Sequence, residues 1–593
     1  MPLETRMSGP DTSVPRAKFS VLSVCCAAVL AVTTIVSGPL ANAAAPSFPP
    51  VPSVNDGRSE VAPTPSLIMQ IQEGLRNAGL YSGPIDGVMS DTIAEAIRAY
   101  QRRTGRPVDG LATKDLADHM ATQAEVGEML KRLEHAKEAK IEEARRLLLS
   151  RAETRGLLSE EIKNEVADPT RDPTPCFRNP NEECLLGEAV ESAKAIYKSE
   201  LRDWAYGEIL AAQAKAGLVK SAIETVSRIG DPRLIMVALR DIATAQAKEG
   251  RIDEARSAAN IIPDPQKKVE ALIAVADILV RHGDKAGAVK TAREIVELAN
   301  TFDRGLGQVT VLTQMAIIMK KAGEPEEARR ILAELEALAE SNNPKTGLKR
   351  SERGAALRHV ASALAEIGEP AKALDIVAKA PGSFDRTAVE MSAATAHAEA
   401  GDIDRALVTA GEIKNSRYLA VVLGRIAVAQ ARANKKAAAA DTIAQALAAS
   451  SDVKMPYAKS YAISQIALAL IEMSKFVGNS ALSQAERTAQ RIEDDRLRAY
   501  TLWTVAAAYE EKGARKQAED ASALADRATA DIKSALSQVW LLGDIASERA
   551  ALGQGEFAAT AFKRGLRISE SIHNSWGRSR ALAKLAGTLY DLR

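Results

Sequence analysis

The 593 residues carry 78 Lys and Arg against 77 Asp and Glu, a net charge of +1, which excludes both a polycationic nucleic-acid binder and an acidic disordered chain. Hydrophobic residues make up 46% and charged residues 26%, as in globular proteins, yet aromatics reach only 4% and the apolar bulk is Ala and Leu rather than the β-branched residues of sheets. An all-α fold is expected, of three or four domains unless the length is an array of repeats.

Taken in chain order, residues 1–43 read as a secretory signal peptide: Arg16 and Lys18, an apolar run from Phe19 to Val36, then Ala41-Asn42-Ala43 at a cleavage site. Ser20, Ser23, Thr33 and Thr34 interrupt the run and argue against a membrane anchor. Leu22-Ser23-Val24-Cys25 loosely resembles a lipobox, but Val24 is bulky beside the cysteine. No later segment has the roughly 18 unbroken apolar residues of a span, so the mature chain is expected to be secreted, periplasmic or cell-wall associated, with no membrane span. Residues 44–65 hold six prolines and form an extended linker.

Residues 66–120 predict three short helices. Ile68, Ile71 and Leu75 share one face, and Ile93, Ala96, Ile97 and Tyr100 a second; Ser90 and Thr113 stand as N-caps. Between the first two faces lies Gly79-Leu80-Tyr81-Ser82-Gly83-Pro84-Ile85-Asp86-Gly87. With Gln72, Ala96-Ile97-Arg98-Ala99-Tyr100-Gln101 and Val108-Asp109-Gly110, this stretch resembles the three-helix peptidoglycan-binding domain of bacterial wall hydrolases; Ser90 and Ile93 depart from its usual glycine and threonine. The resemblance implies peptidoglycan as a partner and Tyr81, Asp86, Arg98 and Tyr100 as its contacts.

Residues 121–167 predict a long amphipathic connector with Val126, Leu130, Leu133, Ile141, Ala144 and Leu148 at helical spacing, interrupted near Lys137 and Lys140. It could be a dimerisation arm or a helix packed on its own chain. Asp168-Pro169, Asp172-Pro173 and Thr174-Pro175 end it, and residues 168–186 carry Cys176 and Cys184 around the Asn179-Pro180 turn. Two thiols in an exported chain are expected to pair; a metal site would need more ligands, and no histidine lies near.

Over residues 187–593 a turn residue recurs at Gly217, Gly250, Gly283, Gly323, Gly368, Gly401, Asn434, Ser474, Gly513 and Gly553, in steps of 33, 33, 40, 45, 33, 33, 40, 39 and 40. Seven residues before each stands an alanine in nine of ten cases, the exception being Leu210, and an apolar residue precedes that one. Five residues after comes another alanine, except in the Ser474 unit. Small residues at fixed points on two helices are what a close helix crossing requires. The pattern, shown by Leu239, Ala243, Gly250 and Ala255, resembles tetratricopeptide repeats, although the family's helix-A tyrosine is mostly absent. It implies an α-solenoid of about ten helix-turn-helix repeats. Leu582, Leu585 and Ala586 repeat the same register, so a further helix A is expected to cap the array at its C-terminal end.

No phosphate-binding loop, nucleophile elbow or zinc-type spacing occurs, the six histidines are scattered, and no cofactor or metal is expected. His282 and His397 read as surface or core residues. Thirteen residues before the turn, on the side that faces the groove of tetratricopeptide-like hairpins, stand Trp204, Tyr461, Tyr500 and Trp540. Aromatics are favoured at interaction hot spots, so these four are the candidate contacts for an envelope protein or peptide, with gap-filling as the alternative. The expectation is a non-enzymatic envelope scaffold, or else an accessory subunit of a wall-remodelling enzyme complex.

Overall fold

The computed structural model describes residues 63–158, 165–302, 305–341, 348–380 and 385–593, which are helix, turn and loop with no strand among them. The expected signal peptide and nearly all of the proline-rich linker lie outside the described residues. The chain divides into two compact units, the first ending at Ala139 and the second beginning at Lys140.

The first unit is built on α1 (Pro65–Asn77), α2 (Asp91–Thr104) and the start of α3 (Lys114–Leu149). Each helix begins on a hydroxyl that accepts a backbone N–H: Thr64 from Leu67 at 3.3 Å, Ser90 from Ile93 at 3.4 Å and Thr113 from Leu116 at 3.2 Å. Ile71, Leu75, Ile93, Ile97 and Leu116 are fully buried among these helices. Met120 belongs to this core, whereas Ala144 and Leu148, further along α3, belong to the core of the second unit. The helix stops at Leu149, well short of the connector end expected at residue 167. Ser150 Oγ donates to the Leu147 carbonyl at 2.6 Å and Thr154 Oγ1 to that of Leu148 at 2.7 Å, satisfying carbonyls that a continuing helix would have bonded. A single turn, α4 (Ala152–Arg155), follows.

In the second unit the expected disulfide joins Cys176 in α5 (Thr174–Arg178) to Cys184 in α6 (Glu182–Lys194), with Cα atoms 5.8 Å apart. Ten helical hairpins then run in order. They are α7 (Ser199–Lys215) with α8 (Val219–Ser227), α9 (Pro232–Lys248) with α10 (Ile252–Asn260), and α11 (Pro265–Arg281) with α12 (Lys285–Ala299). Next come α13 (Leu306–Ala322) with α14 (Pro325–Glu340), α15 (Arg350–Glu366) with α16 (Pro370–Lys379), and α17 (Thr387–Glu399) with α18 (Ile403–Gly411). The last four are α19 (Ser416–Arg432) with α20 (Lys436–Ser451), α21 (Pro456–Val477) with α22 (Asn479–Ala489), α23 (Asp495–Glu511) with α24 (Arg515–Asp531), and α25 (Ala535–Ala551) with α26 (Gly555–Glu570). The final helix is α27 (Ser575–Asp591).

The turn residues recur because helix A ends the same way in nine of the ten hairpins. In hairpin two, Gly250 takes φ 74° while the Arg251 N–H bonds back to the Gln246 carbonyl, a left-handed closure open to glycine without strain. Asn434, at φ 61°, makes the same turn, with the Lys435 N–H bonded to the Gln430 carbonyl. In hairpin eight the helix runs past Ser474 to Val477 and the left-handed residue is Gly478, so Ser474 is not the turn residue there. The alanines seven before and five after the turns, Ala243 and Ala255 among them, are fully buried at the helix crossings.

The expected closing helix is present, and it does more than cover the end of a stack. α27 has the register of helix A, and α6 packs along it as helix B, completing an eleventh hairpin from two distant parts of the chain. α27 also packs on α25 before it and on α7, the first helix A, after it. Successive A helices touch at every one of the eleven steps, whereas successive B helices approach one another less closely, joined by side-chain pairs such as Arg256 of α10 with Glu294 of α12 and Arg564 of α26 with Asp526 of α24. The second unit is therefore a closed ring, with the more closely spaced A helices as its inner layer.

Candidate binding surfaces

In the first unit two buried glutamines hold two Asp-Gly turns in the same way. Gln72 Nε2 donates to Asp86 Oδ1 at 2.8 Å while its Oε1 accepts the Gly87 N–H at 3.0 Å. Gln101 Nε2 donates to Asp109 Oδ1 at 2.6 Å while its Oε1 accepts the N–H groups of Asp109 and Gly110 at 3.1 and 3.0 Å. Each aspartate also accepts the N–H two residues on, of Val88 and of Leu111, at 3.0 Å. The turns present Val88, Val108 and Leu111 to solvent, each about half exposed or more.

The four expected glycan contacts separate on this geometry. Asp86 is committed to its turn, and its hydrogen bond from Gln72, with that from Val88, holds its carboxyl below the usual range. The Tyr81 hydroxyl donates to the Pro84 carbonyl at 2.9 Å and braces the glycine-rich loop. Arg98 lies on the surface beside Glu95, 3.1 Å away. Tyr100 is 4% exposed, edge-on to His119, and burial raises its hydroxyl's pKa, so it is a core residue with no face open to a glycan.

On the ring, the half-exposed stripe of each A helix lies away from helix B. This stripe reads Tyr461, Tyr500, Trp540, Arg580 and Trp204 through hairpins eight to eleven and back into the first, with Tyr500, Trp540 and Trp204 thirteen residues before their turns and Tyr461 one helical turn further back, seventeen before Gly478. Closure brings Trp204 beside aromatics that are most of the chain away in sequence. Arg580 stands at their centre, its guanidinium carbon 4.4 Å from the Trp576 ring centroid, 5.2 Å from Trp204 and 5.5 Å from Trp540. It donates to both carboxylate oxygens of Glu208 at 2.7 to 2.9 Å. Trp204 and Trp576 meet edge to face at 6.4 Å. One turn along, Lys584 pairs with Asp544 at 2.6 Å. Trp204 and Trp540 thus take part in holding Arg580, while Trp204 remains 40% exposed; Tyr461 and Tyr500 are half-buried.

The Tyr500 hydroxyl donates to Glu548 Oε1 at 3.4 Å. Burial, with the neighbouring Asp544 charge, pushes the Glu548 carboxyl up to about 7. Arg549 is fully buried between the Trp503 and Phe557 rings, donates to the Trp503 carbonyl at 3.0 Å and to Gln554 at 3.1 Å, and is lowered by burial to about 10. His397 is buried in the core and His282 caps α11 at the surface. No cluster of three or more metal-ligating side chains occurs among the described residues. Sequence reasoning missed Arg580, Glu208 and Trp576. Arg580 was within reach, because the register that ends on Arg593 places it in line with Trp540 and Trp204.

Residues 64–120 match the family model of the peptidoglycan binding domain. Two solved structures are distantly similar. A crystal structure of a protein from Thermococcus onnurineus has 16% identity and a TM-score of 0.25, covering 57% of this chain and 97% of its own. A circular tandem repeat protein with novel repeat topology has 13% identity and a TM-score of 0.11, covering 89% of this chain and 95% of its own. No curated protein matches the chain.

Proposed function

We propose that the protein is a non-enzymatic scaffold of the bacterial envelope, secreted to the periplasm or wall, in which residues 64–120 bind peptidoglycan and the tetratricopeptide-like ring recruits a protein or peptide. The match of residues 64–120 to the peptidoglycan binding domain carries the wall half of this reading. The disulfide between Cys176 and Cys184 is in keeping with an oxidising compartment. Recruitment is assigned to the inner face of the ring, with the exposed part of Trp204 and the half-buried Tyr461, Tyr500 and Trp540 as the contact residues. The experiment is sedimentation with purified peptidoglycan. The mature protein should pellet with the wall and a chain lacking residues 64–120 should stay in solution; equal behaviour of the two removes the module from the function.

A further inference from the structure

Among the described residues, the middle of α3 leaves a run of large apolar side chains uncovered. Val126, Met129, Leu130 and Leu133 are 46%, 63%, 59% and 55% exposed, although their spacing of three, one and three residues puts all four on one helical face. Isolated exposed apolar residues are ordinary, but four large ones in a continuous stripe mark a contact surface. The helix ends are occupied differently, with Leu116 and Met120 in the core of the first unit and Leu148 in that of the second.

We infer that this stripe is covered by the same stripe of a second copy of the chain, with the two helices antiparallel. Charge decides both the occupant and the direction. Val126 and Leu133 lie one heptad apart, and the residue before each is Glu125 and Arg132, which flank the stripe on the same side; Lys137 lies on the opposite flank. Pairs across such flanks set helix orientation in coiled coils. A parallel pair sets Arg132 against Lys137 of the other copy, two cations together. An antiparallel pair sets Glu125 against Arg132, twice by symmetry, so the stripe is complementary to itself. Two turns of contact fall below the area of a permanent dimer, and the association is a reversible one.

Sedimentation equilibrium of the full mature protein over a wide concentration range tests this. The expected result is a monomer–dimer equilibrium that L130E/L133E abolishes without lowering thermal stability, since both positions are exposed. R132E should weaken the dimer about three- to tenfold, and E125R/R132E should restore it. A chain that stays monomeric at every concentration overturns the proposal, as does a dimer indifferent to L130E/L133E. Strengthening by R132E, the parallel outcome, overturns the antiparallel assignment.

Discussion

Arg580 and Glu208, 372 residues apart in sequence, meet fork to fork across the point where the ring closes. Both side chains are largely buried, at 14% and 19% exposed, and three tryptophan rings surround the guanidinium. A bidentate pair in such a place is both directional and shielded from salt. Arg580→Met leaves Glu208 without its partner and should cost roughly 2 kcal/mol, below the 3–5 kcal/mol of a fully buried pair. Hydrogen exchange checks it: amides of α6 and α27 should lose protection while those of α15 do not. Uniform loss across the ring would mean that closure is not a local property of this pair.

The disulfide holds the start of α6, the helix that completes the split hairpin. Cys176→Ser with Cys184→Ser should lower the stability of that hairpin by about 2–3 kcal/mol, the chain-entropy value for so short a loop. Peptide mapping of the oxidised protein should give one cross-linked peptide. Two free thiols in protein recovered from an oxidising compartment would contradict the pairing.

Glu548 gives the ring a pH dependence with a fixed sign. Its carboxyl is raised to about 7 from an ordinary 4.5, so the folded state favours the protonated form. The stabilisation is complete below pH 4.5 and is lost as pH rises through about 7, on the order of 3 kcal/mol in all. Denaturation of the wild type should therefore show this decline between pH 5 and pH 8, and Glu548→Gln should flatten that part of the profile. An unchanged profile in the variant would assign the dependence to another group.

Ala427 sits seven residues before the turn of hairpin seven, fully buried, and its counterpart Ala439 on helix B is buried as well. Ala427→Leu should destabilise by about 1–3 kcal/mol through overpacking. The exposed Ala437 makes the control, since Ala437→Leu should stay within about 0.5 kcal/mol. Equal effects in an unfolding titration would show that the alanine register does not report the helix crossing.

The hairpins were legible because each crossing needs a small residue and each turn a left-handed one, so Ala243 and Gly250 leave a periodic trace. The disulfide was legible from compartment and spacing. Closure was not, because α6 carries no turn signal of its own: its partner helix lies at the far end of the chain, and no local pattern connects Glu182 with Arg593, which form an ion pair across the seam. The Ser474 register failed because α21 continues a further turn, to Gly478. Tyr100 could be read as a glycan contact only while the helix packing against it, with Leu116 and Met120, was out of view.

Lys215 and Asp591 form an ion pair across the same seam, and the Lys215 ammonium also donates to the Gly587 carbonyl at 3.1 Å. Zero-length carbodiimide coupling of the native monomer, followed by mass spectrometry, reads this contact directly. Lys584 and Asp544 of neighbouring helices serve as the control pair. The closed ring predicts an intrachain Lys215–Asp591 isopeptide alongside the control product. Recovery of the control cross-link without the seam cross-link, or of the seam cross-link only in dimers, would contradict closure.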